Sequence, residues 1–126
     1  MEWEEVKSSM KYVVFDEYKA EKDQAQQFLM KKDQKLFCIV GLINDSQFLP
    51  GKKYIMLELT DEKGKLLEEQ VSITPPTYLE LMLGLNPDHE QKRKVETGDR
   101  LMIQYLGRIE AKEGKPYSFK IAYGKK

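Results

Sequence analysis

Two runs of alternating side chains constrain this chain more than any other feature. Between Arg100 and Gly107, Leu101, Ile103 and Tyr105 fall on one side of an extended backbone, with Met102, Gln104 and Leu106 on the other. Between Tyr117 and Tyr123, Tyr117, Phe119, Ile121 and Tyr123 alternate with Ser118, Lys120 and Ala122. A period of two specifies a pair of strands with one buried face, and the basic loop between them, closing at Gly114, Lys115 and Pro116, makes the pair a hairpin.

Upstream, the elements form an ordered series. The run from Lys11 to Tyr18 reads as a strand. The segment from Ala20 to Met30, with Ala25, Phe28 and Leu29 as a thin apolar stripe, reads as a short helix or a charged loop. Lys35 to Ile43 is apolar on both faces, the pattern of a central strand, and Gly41 permits a bulge or bend within it. A loop follows over Asn44–Ser46 and Pro50–Gly51. Lys53–Thr60 and Lys65–Thr74 form a second hairpin, turned at Asp61–Gly64, whose glycine occupies the position where a tight turn requires positive φ. Thr74 to Gly84 predicts a short helix with Thr74 as N-cap, Pro75 and Pro76 in its first turn and Gly84 at its end.

From residue 35 the order is therefore three strands, a short helix and two strands. That is the topology of an OB-fold, a five-stranded Greek-key barrel. The predicted class is mainly β: one domain over residues 1–126, with a barrel at 35–126 and residues 1–34 as an added strand and helix packed on it. At 126 residues there is core enough for one such domain and not for two.

Composition, 40% hydrophobic and 33% charged, is that of a folded chain rather than a disordered one. No apolar run approaches the roughly 20 residues of a membrane span, and the segment after Met1 is acidic where a signal peptide is basic. Cys38 is the single cysteine and reads as a small buried hydrophobe; a chain without an internal disulfide fits a reducing, cytoplasmic setting. Net charge is zero but unevenly spread. Residues 1–90 hold 11 Lys and Arg against 17 Asp and Glu, whereas residues 91–126 hold 10 against 4. The basic part invites an anionic partner, although overall neutrality argues against coating duplex DNA by charge alone.

The residues Gly98, Asp99, Tyr105, Leu106, Gly107, Gly114 and Tyr117 carry a resemblance. In this order they are similar to the closing hairpin of small OB-fold single-stranded-DNA-binding proteins of phage and viral type. Those proteins run Gly-Asp, alternating strand, Tyr-Leu-Gly, basic loop, Gly-x-x-Tyr-x-x-Phe. Here Phe119 follows Tyr117 by two residues rather than three, which alters the register but keeps both rings on one face. The likeness covers the final hairpin closely and residues 35–126 by element order. It implies a non-enzymatic binder of single-stranded DNA acting in replication or recombination, in a host cytoplasm if viral. The acidic C-terminal tail by which many bacterial single-strand binders recruit partners is missing from the terminal residues Tyr123 to Lys126.

Physical argument reaches the same function independently. Unpaired bases expose π-faces, so a sequence-tolerant binder needs aromatic platforms beside a cationic track. Tyr54, flanked by Lys52 and Lys53, projects outward from the second hairpin, and Phe48 precedes it in the loop. Arg108, Lys112 and Lys115 lie in the final loop, and Lys120 projects from the face opposite the aromatics. Binding by OB-folds uses their second and third strands and adjoining loops. Phe48, Lys52, Lys53, Tyr54, Arg108, Lys112, Lys115 and Lys120 are thus the candidate nucleic-acid-binding residues, for single-stranded DNA ahead of RNA. Tyr105, Tyr117, Phe119, Tyr123 and Phe37 read as core, Trp3 as a pin for the N-terminal segment ahead of a base-stacking ring, and Lys92–Lys94 as a solvated run ahead of a phosphate contact.

Enzyme chemistry has little to work with. The one histidine, His89, has no second His or Cys at ligand spacing. No serine has a nucleophile context, and Gly64–Lys65 lacks the rest of a phosphate loop. The paired acids Asp61–Glu62 and Glu68–Glu69 would point to opposite faces of a strand. Neither metal nor cofactor is expected. The rival to nucleic-acid binding is a protein-interaction module that uses an exposed edge, groove or the acidic N-terminal part. A strand at 11–18 offers an edge through which two copies could pair as a homodimer.

Overall fold

The computed structural model describes residues 11–15, 27–46, 49–86, 93–109 and 116–124. Seven strands and one helix follow in chain order: β1 (Lys11–Phe15), β2 (Gln27–Met30), β3 (Lys35–Asp45), β4 (Lys53–Thr60), β5 (Leu66–Ile73), α1 (Thr77–Met82), β6 (Arg100–Arg108) and β7 (Tyr117–Tyr123). The strands form one curled, barrel-like sheet in the order β2-β1-β5-β4-β3-β6-β7.

Alternation in the sequence becomes alternation in burial. On β6, Leu101, Ile103 and Tyr105 are buried between half-buried Met102, Gln104 and Leu106. On β4, Ile55, Leu57 and Leu59 are buried and Tyr54, Met56 and Glu58 are half-buried. β3 is central, antiparallel to β4 on one side and β6 on the other. Its pairing with β4 slips at Gly41, between Val40 and Leu42, where the sequence allowed a bulge. The start of β6 is fastened there: the Gly98 N–H donates to the Val40 carbonyl at 2.7 Å, and the Val40 N–H to the Asp99 carbonyl at 2.9 Å. Asp99 also accepts the Glu96 N–H at 2.8 Å through its side chain. A second slip, between Tyr105 and Gly107, sets Phe119 opposite Tyr105 and Tyr117 opposite Arg108.

The N-terminal segment is part of the sheet. β1 runs parallel to β5, with Lys11 beside Val71 and Tyr12 beside Ser72, so the sheet holds seven strands where the sequence predicted a five-stranded barrel with an appendage. The edge of β5 presents backbone groups that need partners, and β1 supplies them. The helical alternative for Ala20–Met30 is corrected over Gln27–Met30, which is β2, parallel to β1. Phe28 and Met30 turn inward and Leu29 outward, a period of two that pairing with Val13 and Phe15 enforces. Ala20–Gln26 and the Asp16–Tyr18 end of the first predicted strand lie outside the described residues.

α1 is shorter than predicted. Its N-cap is Pro76 and not Thr74, and no side chain caps it. A residue before proline avoids the helical region, so consecutive prolines hold the chain extended until residue 77. Leu79 and Leu83, four apart, are fully buried, and Leu85 and Val95 pack with them. Phe15, Met30, Tyr105 and Phe119 belong to the same buried core. Among the described residues, no helix is long and apolar enough to cross a membrane.

Candidate functional site

A cleft of about 430 Å³ opens where three connections meet. The β3–β4 loop contributes Leu49 and Lys52, the entry to α1 contributes Thr74 to Tyr78, and the β6–β7 hairpin contributes Arg108, Pro116 and Tyr117. Arg108 ends β6 directly opposite Tyr117, the first residue of β7. One guanidinium N–H donates to the Tyr117 hydroxyl at 2.8 Å, and the guanidinium carbon lies 4.6 Å from the ring centroid. Tyr117 also belongs to the aromatic cluster, 4.8 Å from Phe15, so a ring anchored in the body carries the cation at the cleft wall. Tyr78, on α1, also lines the cleft and is 42% exposed. Such a wall offers π-faces, a cation and rigid prolines within one concavity.

The cleft unites two of the predicted site residues, Lys52 and Arg108. Lys52 Nζ donates to Oε2 of Glu80 at 3.1 Å, and the Glu80 side chain is only 6% exposed. Lys53 and Tyr54 do not line the cleft. Lys53 Nζ lies 2.6 Å from Asp45 Oδ1 on the neighbouring strand, and that contact holds the Asp45 carboxyl below its ordinary range. Tyr54 stands on the outer face, half-buried, with its hydroxyl accepting from Asn44 Nδ2 at 3.3 Å. Lys120 is exposed opposite Gln104 on the edge strand, away from the cleft lining. Phe48, Lys112 and Lys115 lie outside the described residues.

Two aromatic cleft residues, Tyr78 and Tyr117, were not in the predicted set. Tyr117 reads as core from its alternation, and it is both core and wall. Tyr78 was legible in principle: with Leu79 and Leu83 inward at helical spacing, Tyr78 and Met82 must turn outward. Arg93 and Lys94 are exposed, as the solvated reading of the 92–94 run expects, and Arg93 also makes two contacts. Its guanidinium sits 3.7 Å above the Tyr123 ring centroid, and one nitrogen is 3.9 Å from Asp99. Burial raises the Tyr123 hydroxyl pKa above its ordinary value.

Elsewhere, a groove lined by Glu58, Glu68 and Glu69 together with Leu59, Leu66 and Gln70 is acidic. Among the described residues, no group of three or more His, Cys, Asp or Glu could hold a metal ion. Set against protein-family models, curated proteins and solved structures, the chain finds no match.

Proposed function

We propose that β3, β4, β5, α1, β6 and β7 make an OB-type barrel that binds single-stranded nucleic acid, DNA in preference to RNA, in the Lys52–Tyr78–Arg108–Tyr117 cleft. The pairing order β5-β4-β3-β6-β7 supports the barrel reading, because the first of these strands in sequence lies between the second and the fourth. The cleft lies at the loops between the first and second and between the fourth and fifth of them, where OB-folds take their ligands. One observation carries the functional reading: Arg108 seated on Tyr117, with exposed Tyr78 lining the same cleft. Aromatic faces stack bases of any identity, and the guanidinium attracts the phosphates between them. Replication and recombination are the processes that expose such strands.

The test is fluorescence anisotropy with a labelled oligothymidine at low and moderate salt, with duplex DNA as competitor. Salt-sensitive binding that duplex does not displace supports the proposal. No binding at low salt removes it in favour of a protein-interaction module. For that second reading the relevant surface is the acidic groove of Glu58, Glu68 and Glu69, flanked by Leu66 and Leu67 at 52% and 53% exposure.

A further inference from the structure

The ion pair behind the cleft has consequences for affinity. Lys52 lines the cleft and is a little over one-third exposed, whereas Glu80, on the helix behind it, is almost fully buried. Lys52 and Glu80 are 28 residues apart in sequence, so their contact exists only in the folded chain. A buried carboxylate that lost its cation would be strongly penalised, and the pair is correspondingly hard to separate. A phosphate entering the cleft therefore meets an ammonium whose charge is already compensated.

We infer that Glu80 sets the affinity of the site by acting as an internal competitor of phosphate for Lys52. It is a positioning residue in this role, reaching the ligand only through the lysine. The inference rests on the nucleic-acid reading above. It assigns the site a weaker and less salt-dependent grip than its lysine content suggests, suited to a strand that must be released.

The experiment measures oligothymidine binding across a salt series for the wild type, Glu80→Gln and the double variant Lys52→Met/Glu80→Leu. Glu80→Gln frees one cation, so affinity at low salt should rise severalfold. The slope of log affinity against log salt should steepen by about 0.7, the increment for one further phosphate contact on a single strand. A purely structural role for Glu80 would leave that slope unchanged or reduce it. The double variant exchanges a charge pair for apolar groups of similar size, a replacement that proteins often tolerate without loss of stability. Its slope should lie about 0.7 below that of Glu80→Gln, because the lysine freed in that variant is absent here.

A wild type that does not bind at low salt overturns the nucleic-acid reading itself. With a binding wild type, an unchanged or shallower slope in folded Glu80→Gln overturns the inference alone. A double variant as steep as Glu80→Gln does the same, because the added phosphate contact would then not be made by Lys52.

Discussion

The ring of Phe15 lies 4.8 Å from that of Tyr105, centroid to centroid, and so joins the first strand of the sheet to the C-terminal hairpin. Tyr117 and Phe119 complete the cluster at 4.8 and 5.2 Å from Phe15. The sheet order keeps β1 and β6 three strands apart, so the curl of the sheet brings these rings together. Tyr117 belongs at once to this cluster and to the cleft, so the N-terminal strand supports the proposed site.

Phe15→Ala should destabilise the fold by about 3–5 kcal/mol, the usual range for emptying a buried aromatic position. Urea denaturation should show a lower midpoint with an unchanged slope, and Phe15→Leu should show a smaller loss. A midpoint unmoved in Phe15→Ala would mean that β1 is not part of the cooperative fold.

Gly84 and Gly51 offer a matched pair. Both have positive φ, 71° and 77°, but a Cβ on Gly84 would stand 2.6 Å from the Arg93 carbonyl oxygen, while one on Gly51 would meet nothing within 4 Å. Gly51→Ala should cost about 1 kcal/mol from backbone strain alone. Gly84→Ala should cost about 3 kcal/mol, because the 93–94 segment must also shift off the helix end. Thermal or urea melts of the two variants side by side check the difference.

Tyr78→Ala should weaken oligothymidine binding by about 1–3 kcal/mol if it stacks a base, with thermal stability little changed because the ring is exposed. Arg108→Gln should weaken binding and reduce its salt dependence. Tyr54→Ala, outside the cleft lining, should have a smaller effect than Tyr78→Ala. Reversal of that order would move the site to the outer face of β4.

Cys38 is 2% exposed and its thiol sits 3.8 Å from the Leu101 carbonyl. Burial pushes its pKa from an ordinary 9.0 up to about 12. The folded state keeps the proton that the unfolded state releases, so this group's contribution is fully present below pH 9. It is lost as pH rises from about 9 toward 12. At pH 8 an alkylating reagent should leave the folded protein unmodified and label it only in denaturant. Cys38→Val should lose less stability than the wild type across the alkaline range.

Much of the fold was legible because it is written in local alternation. The strands from Lys35 onward, the turn at Asp61–Gly64 and the bulge at Gly41 all follow from side-chain period and glycine placement. The segment Gln27–Met30 was not legible, because four residues fit a strand or part of a helix until a partner fixes them. The cleft was half legible. Lys52 and Arg108 flank it as their loops suggested, whereas Tyr78 lies on the short helix α1, where the strands' period of two gives no direction.

The sequence by itself determined which side chains face inward along each strand, since that depends only on the alternating backbone. Tertiary structure decided which edges pair and which charges remain available. β1 found the edge of β5, Lys52 found Glu80, and Lys53 found Asp45. In a chain with as many carboxylates as basic side chains, any lysine can be compensated by an acid distant in sequence. Only proximity in the folded state, where low dielectric strengthens some pairs and distance removes others, selects the partner.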